Sequence, residues 1–584
     1  MVASSLAGPL GLSARAAPVA ADESCGDVLA GDPRALRGGN LPAAFMVAHW
    51  LRDRRLEFGP RKVTLSAGCD GRAGDFDIAD DGASFDVVIV GGGLSGLSAA
   101  FYLLRRRPDT SILVLDANPT PGGNAARDSG PPLPVVASTA GAYFTAPQLD
   151  SEKDLYRGLQ IERDQQKVVD PVYNYFFDEN TPGVNPGHRG WNLDSFGKGV
   201  RTLPYQPKVV SDFVRCHKTL VDWFNTDGGP TDPPDSSSPR YDYLSQMSFA
   251  DYLTNTLHFD PILSDFYTRY TVDCLGGTAS QVNAHSAISF LSSDYAGDLF
   301  TFPGGTSEIA RRLVGWLTSP AGPGRQRRAV EIRSSAVALR ADAGGAGQPS
   351  PGVVYFKDNA FRRATARAVI VATGAQSAKH LVEHLTDTGR RAEWGAVTLA
   401  PALAASVVVK SAAPLIDLGL GYDQYWWGSR YWADFIIADW ATPNRANRDR
   451  ATVLTFYGGN TAPKENLAEE RLKLLTTPFS AYESALKDDL SRILGKTSFD
   501  FDRDVSSISL YRWGHSMILP APGSVFGATR GADGKIDRAK APRRLAYAAI
   551  GPISFAGQDS EGTPCVESAA RSGFRAAQEA LGRL

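Results

Sequence analysis

The segment Phe85–Asp116 constrains the fold more tightly than any other part of the chain. Phe85-Asp86-Val87-Val88-Ile89-Val90 is an apolar run of the kind found in a buried parallel strand. Gly91-Gly92-Gly93-Leu94-Ser95-Gly96 follows, the residues to Arg107 read as a glycine turn and helix, and Ser111-Ile112-Leu113-Val114-Leu115-Asp116 is the next strand. Strand, glycine turn, helix and strand within about 30 residues make a dinucleotide-binding unit. In such a unit Gly91 permits the tight turn, Gly93 lets the backbone approach a pyrophosphate, and Gly96 lets helix and strand pack closely. Leu94 and Ser95 open the helix, whose free N–H groups and dipole favour an anion. Asp116, 20 residues beyond Gly96 and followed by Ala117, is placed to accept hydrogen bonds from a ribose diol.

At 584 residues the chain exceeds what one hydrophobic core organises. Strand-like runs recur at 329–339, 368–372 and 546–556, and Val566 to Leu581 reads as a closing helix. The expected fold class is α/β. A Rossmann-like cofactor domain is assembled from 84–150, 300–378 and 543–584. An inserted α+β substrate domain comes from 151–299 and 379–542, and residues 1–83 form a leader-like segment and N-terminal extension. Net charge is −2 with no basic block, which argues against nucleic acid as a partner. No apolar run approaches the ~20 residues of a membrane span. The five cysteines form neither a CxxC nor a zinc spacing; Cys25 and Cys69 could pair in an exported protein. Small residues before Asp22 read as the remnant of an export leader without its charged start. A periplasmic or exported location is the expectation, with a cytoplasmic one as the alternative.

Beyond Asp116 the chain carries Pro121-Gly122-Gly123-Asn124-Ala125-Ala126-Arg127. A glycine pair after the acid, followed by a basic residue, resembles the segment lying along the flavin in flavin-containing amine oxidases. Phe302-Pro303-Gly304-Gly305 and Val369-Ile370-Val371-Ala372-Thr373-Gly374 are similar to two further motifs of that superfamily. Ile553-Ser554-Phe555-Ala556-Gly557-Gln558-Asp559 is similar to its closing motif. The resemblance implies FAD as cofactor. It places Gly122, Gly123, Asn124 and Arg127 along the ring, Val337 at the adenine and Asp559 at the ribityl chain. Backbone near Cys565 and Val566 would lie at the ring edge where reduced flavin carries negative charge.

Within the superfamily the chain looks most like bacterial spermidine dehydrogenases. That likeness rests on Ala35-Leu36-Arg37-Gly38-Gly39, the stretch Phe45 to Asp53, Ala287-Ile288-Ser289-Phe290-Leu291 and Arg512-Trp513-Gly514-His515. It implies oxidation of a small-molecule amine, including polyamines, by hydride transfer to flavin N5, giving an imine that water hydrolyses. Trp513 and His515 are the candidate catalytic pair, with a buried tryptophan and a hydrogen-bonded core histidine as the alternative. Lys410 is a third candidate, with a strand-end surface lysine as the alternative. The aromatic segment 422–440, with Tyr425, Trp426, Trp427 and Trp432 among Asp423, Asp434 and Asp439, suits a distal ammonium or else a packed core. The same group implies a b-type haem with His49 as candidate ligand, a helix histidine facing the core being the alternative, and a redox partner such as a quinone or cytochrome. Two other functions remain open: an FAD-dependent desaturase or dehydrogenase of an apolar non-amine substrate, and a non-catalytic flavin electron carrier.

Overall fold

The computed structural model describes residues 38–68, 71–128, 139–167, 172–226, 239–319, 330–345, 350–437, 448–459 and 461–584. The leader-like residues 1–21, Cys25, Cys69, Asp439 and Trp440 lie outside them.

Five parallel strands form the heart of the first sheet, in the order Val330–Arg333, Ile112–Leu115, Gly74–Val90, Ala360–Val371, Ile553–Phe555. Val87, Val88, Ile89, Ile112, Leu113 and Val114 are fully buried, because helices and an antiparallel meander cover both sheet faces. Side chains on both sides of each strand must then be apolar, which is why the sequence shows runs and not alternation. The helices Leu94–Arg106, Ser307–Thr318 and Val566–Leu581 lie on one face. Strand order reverses between Val90 and Val371, and the carboxyl ends that part there leave the crevice in which such sheets bind ligands.

The N-terminal extension does not stop at residue 83. The strand Gly74–Val90 runs continuously across that point and pairs with Ala360–Val371 from Ile78 onward. Leu56–Phe58 and Lys62–Leu65 extend the same sheet through it. The strands at 56–58, 62–65 and 74–83 therefore belong to the cofactor sheet.

A second, eight-stranded sheet has the order Gly38–Gly39, Val505–Ile518, Leu399–Val409, Thr452–Gly459, Asp434–Ile437, Asp423–Trp426, Tyr173–Phe177, Gly190–Asn192. Strands from both 151–299 and 379–542 enter it, so the two insertions share one sheet. Among the described residues no helix is long and apolar enough to cross a membrane.

Candidate active site

A cavity of about 2530 Å³ runs from the strand-order reversal to the underside of the second sheet. Val337, Asp116 and Ala117 line one end, and Gly91, Gly93, Leu94 and Ser95 follow. Backbone sterics explain the glycines. A Cβ on Gly91, which has φ +105°, would stand 2.5 Å from the Ala372 carbonyl oxygen, and one on Gly96 would stand 2.0 Å from the Gly91 oxygen. Gly96 thus serves packing and does not line the cavity. Gly93 differs: its Cβ would meet nothing nearer than Gly123 Cα at 3.7 Å, so the space beside it is held open for a ligand.

Asp116 braces the turn, accepting from Gly92 N at 2.8 Å and Asn118 N at 2.7 Å. Burial pushes its carboxyl up to about 6. Its remaining lone pairs are free to accept ribose hydroxyls. Further along, Asp559 accepts from Ala375 N at 2.8 Å and from the Tyr547 hydroxyl, which leaves Oδ1 buried without a partner. Thr373 Oγ1, also facing the cavity, is likewise unsatisfied. Two orphaned polar atoms in the cavity that the glycine turn also lines fit a dinucleotide with a hydroxylated chain. The closing helix Val566–Leu581 points its N-terminus into the cavity, capped by Cys565 Sγ accepting from Ser568 N at 3.4 Å. A Cβ on Gly573 would lie 2.5 Å from Ser95 O, so glycine there lets this helix dock against the glycine-turn helix. The residues present fit FAD.

The strand Val505–Ile518 carries the next part of the site. Ala400 pairs with Met517 but Ala402 with Trp513, leaving Gly514, His515 and Ser516 opposite Pro401 alone. Proline has no N–H to give the ladder, and the bulge forms where that donor is missing. Side chains take over its hydrogen bonds: Asn40 Oδ1 accepts from Gly514 N at 2.5 Å, and Arg471 Nε donates to Gly514 O at 2.9 Å. Asn124 and Gln558 donate to Ser516 O at 2.7 and 3.0 Å. His515 is thereby turned into the cavity, where its ring is open to the lumen. Burial, then Arg471 and Lys379, push its imidazole down to about 3, so it is neutral at physiological pH.

Trp513 and Tyr457 form a wall further in. Register places them on one sheet face, Trp513 opposite Ala402 and Tyr457 opposite Ala404. Both donate to one short segment, Trp513 Nε1 to Thr139 O at 3.2 Å and Tyr457 OH to Ala140 O at 2.6 Å. The two alanines between them leave room for a substrate against the rings. Beyond the wall, Asp273, Asp294 and Tyr143 line the cavity. Burial pushes both carboxyls up to about 7.

Several sequence expectations are corrected. Lys410 is exposed at the end of its strand, where Nζ donates to Arg503 O, and it is not part of the cavity. Arg127 does not lie along the cavity; it pairs with Glu308 at 2.9 Å and ties its loop to the helix Ser307–Thr318. Tyr425, Trp426 and Trp432 are at most 1% exposed within the second domain's core and do not reach the lumen. Trp427 stacks under Arg269 at 5.0 Å and is also outside it. His49 does line the cavity, with Nε2 3.3 Å from Arg52 Nη1, and burial pushes it down to about 4. Nothing in that arrangement supports haem, and among the described residues no group of three metal-ligating side chains forms. Tyr457, Asp273 and Asp294 were missed. The signal for the acids is a carboxylate inside apolar and aromatic helix sequence, in Tyr270-Thr271-Val272-Asp273 and Ser289-Phe290-Leu291-Ser292-Ser293-Asp294.

Comparison with known proteins adds to this geometry. Residues 94–581 match the family model described as flavin containing amine oxidoreductase. A putrescine oxidase with three substitutions made to redesign cofactor binding superposes with a TM-score of 0.59 at 18% identity, covering 86% of this chain and 99% of that one. Cyclohexylamine oxidase from Brevibacterium oxydans IH-35A gives 0.54 at 17% identity, with 86% and 99% covered. Among curated sequences, thiamine thiazole synthase of Schizosaccharomyces pombe is 42% identical over 74 residues. That match covers 12% of this chain and 22% of the synthase, so only about a fifth of that relative's length is shared.

Proposed function

The chain belongs to the flavin containing amine oxidoreductases and is an FAD-dependent oxidoreductase; from that premise we propose that it oxidises a small-molecule amine held against the wall of Trp513 and Tyr457. The observation that carries this reading is the continuity of one cavity from the dinucleotide cradle to that wall and on to the acids beyond it. Bound FAD supplies the two-electron acceptor. The chain's residues hold it through the glycine turn, Asp116, Asp559 and the N-terminus of the closing helix. Trp513 and Tyr457 exclude water from one side of the amine and orient its α-carbon. Neutral His515 offers a nitrogen lone pair or N–H without adding a positive charge beside the substrate. The amine would lose its α-hydrogen as hydride and a nitrogen proton to solvent, and water would hydrolyse the resulting imine to a carbonyl product and ammonia, or an amine where the reacting nitrogen is secondary.

The likeness to spermidine dehydrogenases supports the same reading, because its motifs meet in space. Gly38 and Gly39 pair with Tyr511 and Arg512, and Asn40 holds Gly514 beside His515. The acids beyond an aromatic wall favour an amine over the apolar substrate of a desaturase.

Hydride leaves readily only when the nitrogen lone pair is free, so protonated amine is unreactive. The rate of flavin reduction is expected to rise with pH until the bound amine is neutral. His515 has already lost its proton below that range, so His515→Gln should change the rate without moving the limb. Stopped-flow reduction across pH checks this. A rate falling as pH rises would contradict the neutral-amine reading.

A further inference from the structure

Away from the wall and the acids, the cavity extends between the helices Pro42–Arg52, Ala375–Leu381 and Leu467–Thr476. This lobe reaches the surface beside Ala48 and Leu472, both exposed. Its sides are rich in basic groups. His49 and Arg52 come from the first helix, Lys379 and His380 from the second, Arg471 from the third, and His515 from the bulge.

The carboxylates around the lobe already have partners. Asp53 pairs with Arg52 at 2.6 Å, Glu383 with Arg54 at 3.0 Å, and Glu469 with Lys473 at 3.1 Å. Among the described residues, neither Lys379 nor Arg471 has an ion-pair partner. Lys379 Nζ donates to Gln376 Oε1 at 2.6 Å. Arg471 gives Nε to Gly514 O and Nη2 to Leu399 O at 2.6 Å, which leaves Nη1 unused. The His515 ring makes no hydrogen bond with any described residue. Burial, then the Arg471 charge, push the Lys379 ammonium below its usual value, and burial pushes the Arg471 guanidinium down to about 10. Both cations also act on His515. Three groups from three elements thus face one space with no negative charge of their own.

A half-buried cation without a counter-charge is costly, and it gains most from a ligand that brings one. An ammonium gains nothing there, so the lobe is not a second berth for the amine. Phe45, Met46, Leu472 and Leu475 add apolar surface along the same lobe. A bare inorganic anion would leave that surface unused. We propose that Lys379, Arg471 and His515 bind the carboxylate of an organic acid whose apolar body lies along Phe45, Met46, Leu472 and Leu475 toward the surface. The two carboxylate oxygens answer the unused N–H groups of Arg471 Nη1 and Lys379 Nζ, and neutral His515 adds its ring N–H.

Isothermal titration of the FAD-loaded protein with hexanoate, hexanamide, acetate and inorganic phosphate tests this. Hexanoate is expected to bind roughly tenfold or more tightly than hexanamide, which lacks the charge, as a charge-assisted hydrogen bond is worth that much. It should exceed acetate, which lacks the apolar body, by a similar factor of about ten. Lys379→Met should weaken hexanoate by about tenfold or more, and Lys379→Arg should restore most of the affinity. Flavin absorbance shows that each variant is folded and loaded. Equal affinity for hexanoate and hexanamide, or unchanged hexanoate binding in loaded Lys379→Met, overturns the proposal. Phosphate binding as tightly as hexanoate overturns it too, since charge alone would then account for the lobe. These titrations measure binding without turnover, so their outcome stands whether or not an amine reduces the flavin.

Discussion

Gly93→Val is expected to yield a folded protein without FAD. The substitution is informative because the backbone conformation suits valine and leaves room for its Cβ. Gly93 has φ −75° and ψ 178°, which valine adopts without strain, and its Cβ would face Gly123 Cα at 3.7 Å. A ligand threading between the glycine turn and Gly122-Gly123 would collide with the branched side chain. Circular dichroism should therefore show a native-like spectrum, while the visible flavin absorbance is lost and added FAD no longer binds. Gly96→Val is the contrasting case. Its Cβ would sit 2.0 Å from Gly91 O, so the turn itself must break and soluble protein should fall sharply. Gly93→Val retaining stoichiometric FAD would show that the pyrophosphate lies elsewhere.

Trp513→Ala carries the second large effect. The ring is only 6% exposed, lines the cavity and is fixed by its bond to Thr139 O. Removing it admits water and frees the α-carbon to wander. Loss of near-attack geometry of this kind costs about 10²-fold. Flavin reduction at saturating amine should slow by at least tenfold while FAD stays bound, since the side-chain hydrogen bond of Trp513 goes to Thr139 O and not to the glycine turn, Asp116 or Asp559. Trp513→Phe keeps a ring but loses the N–H, and should recover most of the rate. Wild-type reduction by Trp513→Ala would place the wall elsewhere.

The legible parts of this molecule were those where the constraint is local. Gly91, Gly93 and Gly96 answer to clashes within one turn, and Asp116 closes on Gly92 within the same unit, so their spacing survives in the sequence. Asp559 and the closing helix were readable for the same reason, as a short strand followed by a capped helix N-terminus. The amine end was not, because it is assembled across strands and helices far apart in the chain. Asp273 and Asp294 come from two helices, Tyr457 and Trp513 from strands that Leu399–Val409 separates. The aromatic segment misled because burial and lumen exposure look alike in composition. Tyr425 and Asp434 share the cavity-facing side of the sheet, yet other side chains cover Tyr425, and Trp426 points to the opposite side. Lys410 misled differently: the residue just past a strand's end has the pattern of a buried strand before it and the exposure of a loop. The boundary at 83 failed because the strand Gly74–Val90 begins with alternating polar residues, and only its last four are buried on both sides.

The central claim is that a hydrogen on the carbon beside an amine passes as hydride to the flavin in this cavity. It is tested most directly by mixing the FAD-loaded protein with spermidine or putrescine without oxygen, protiated or deuterated at the α-carbons, and following the flavin's visible absorbance in a single turnover. The account predicts complete bleaching, one equivalent of carbonyl product per flavin, and slower bleaching with the deuterated amine. A flavin that stays oxidised with these and with simple primary and secondary amines, yet bleaches with an apolar non-amine substrate, would contradict it.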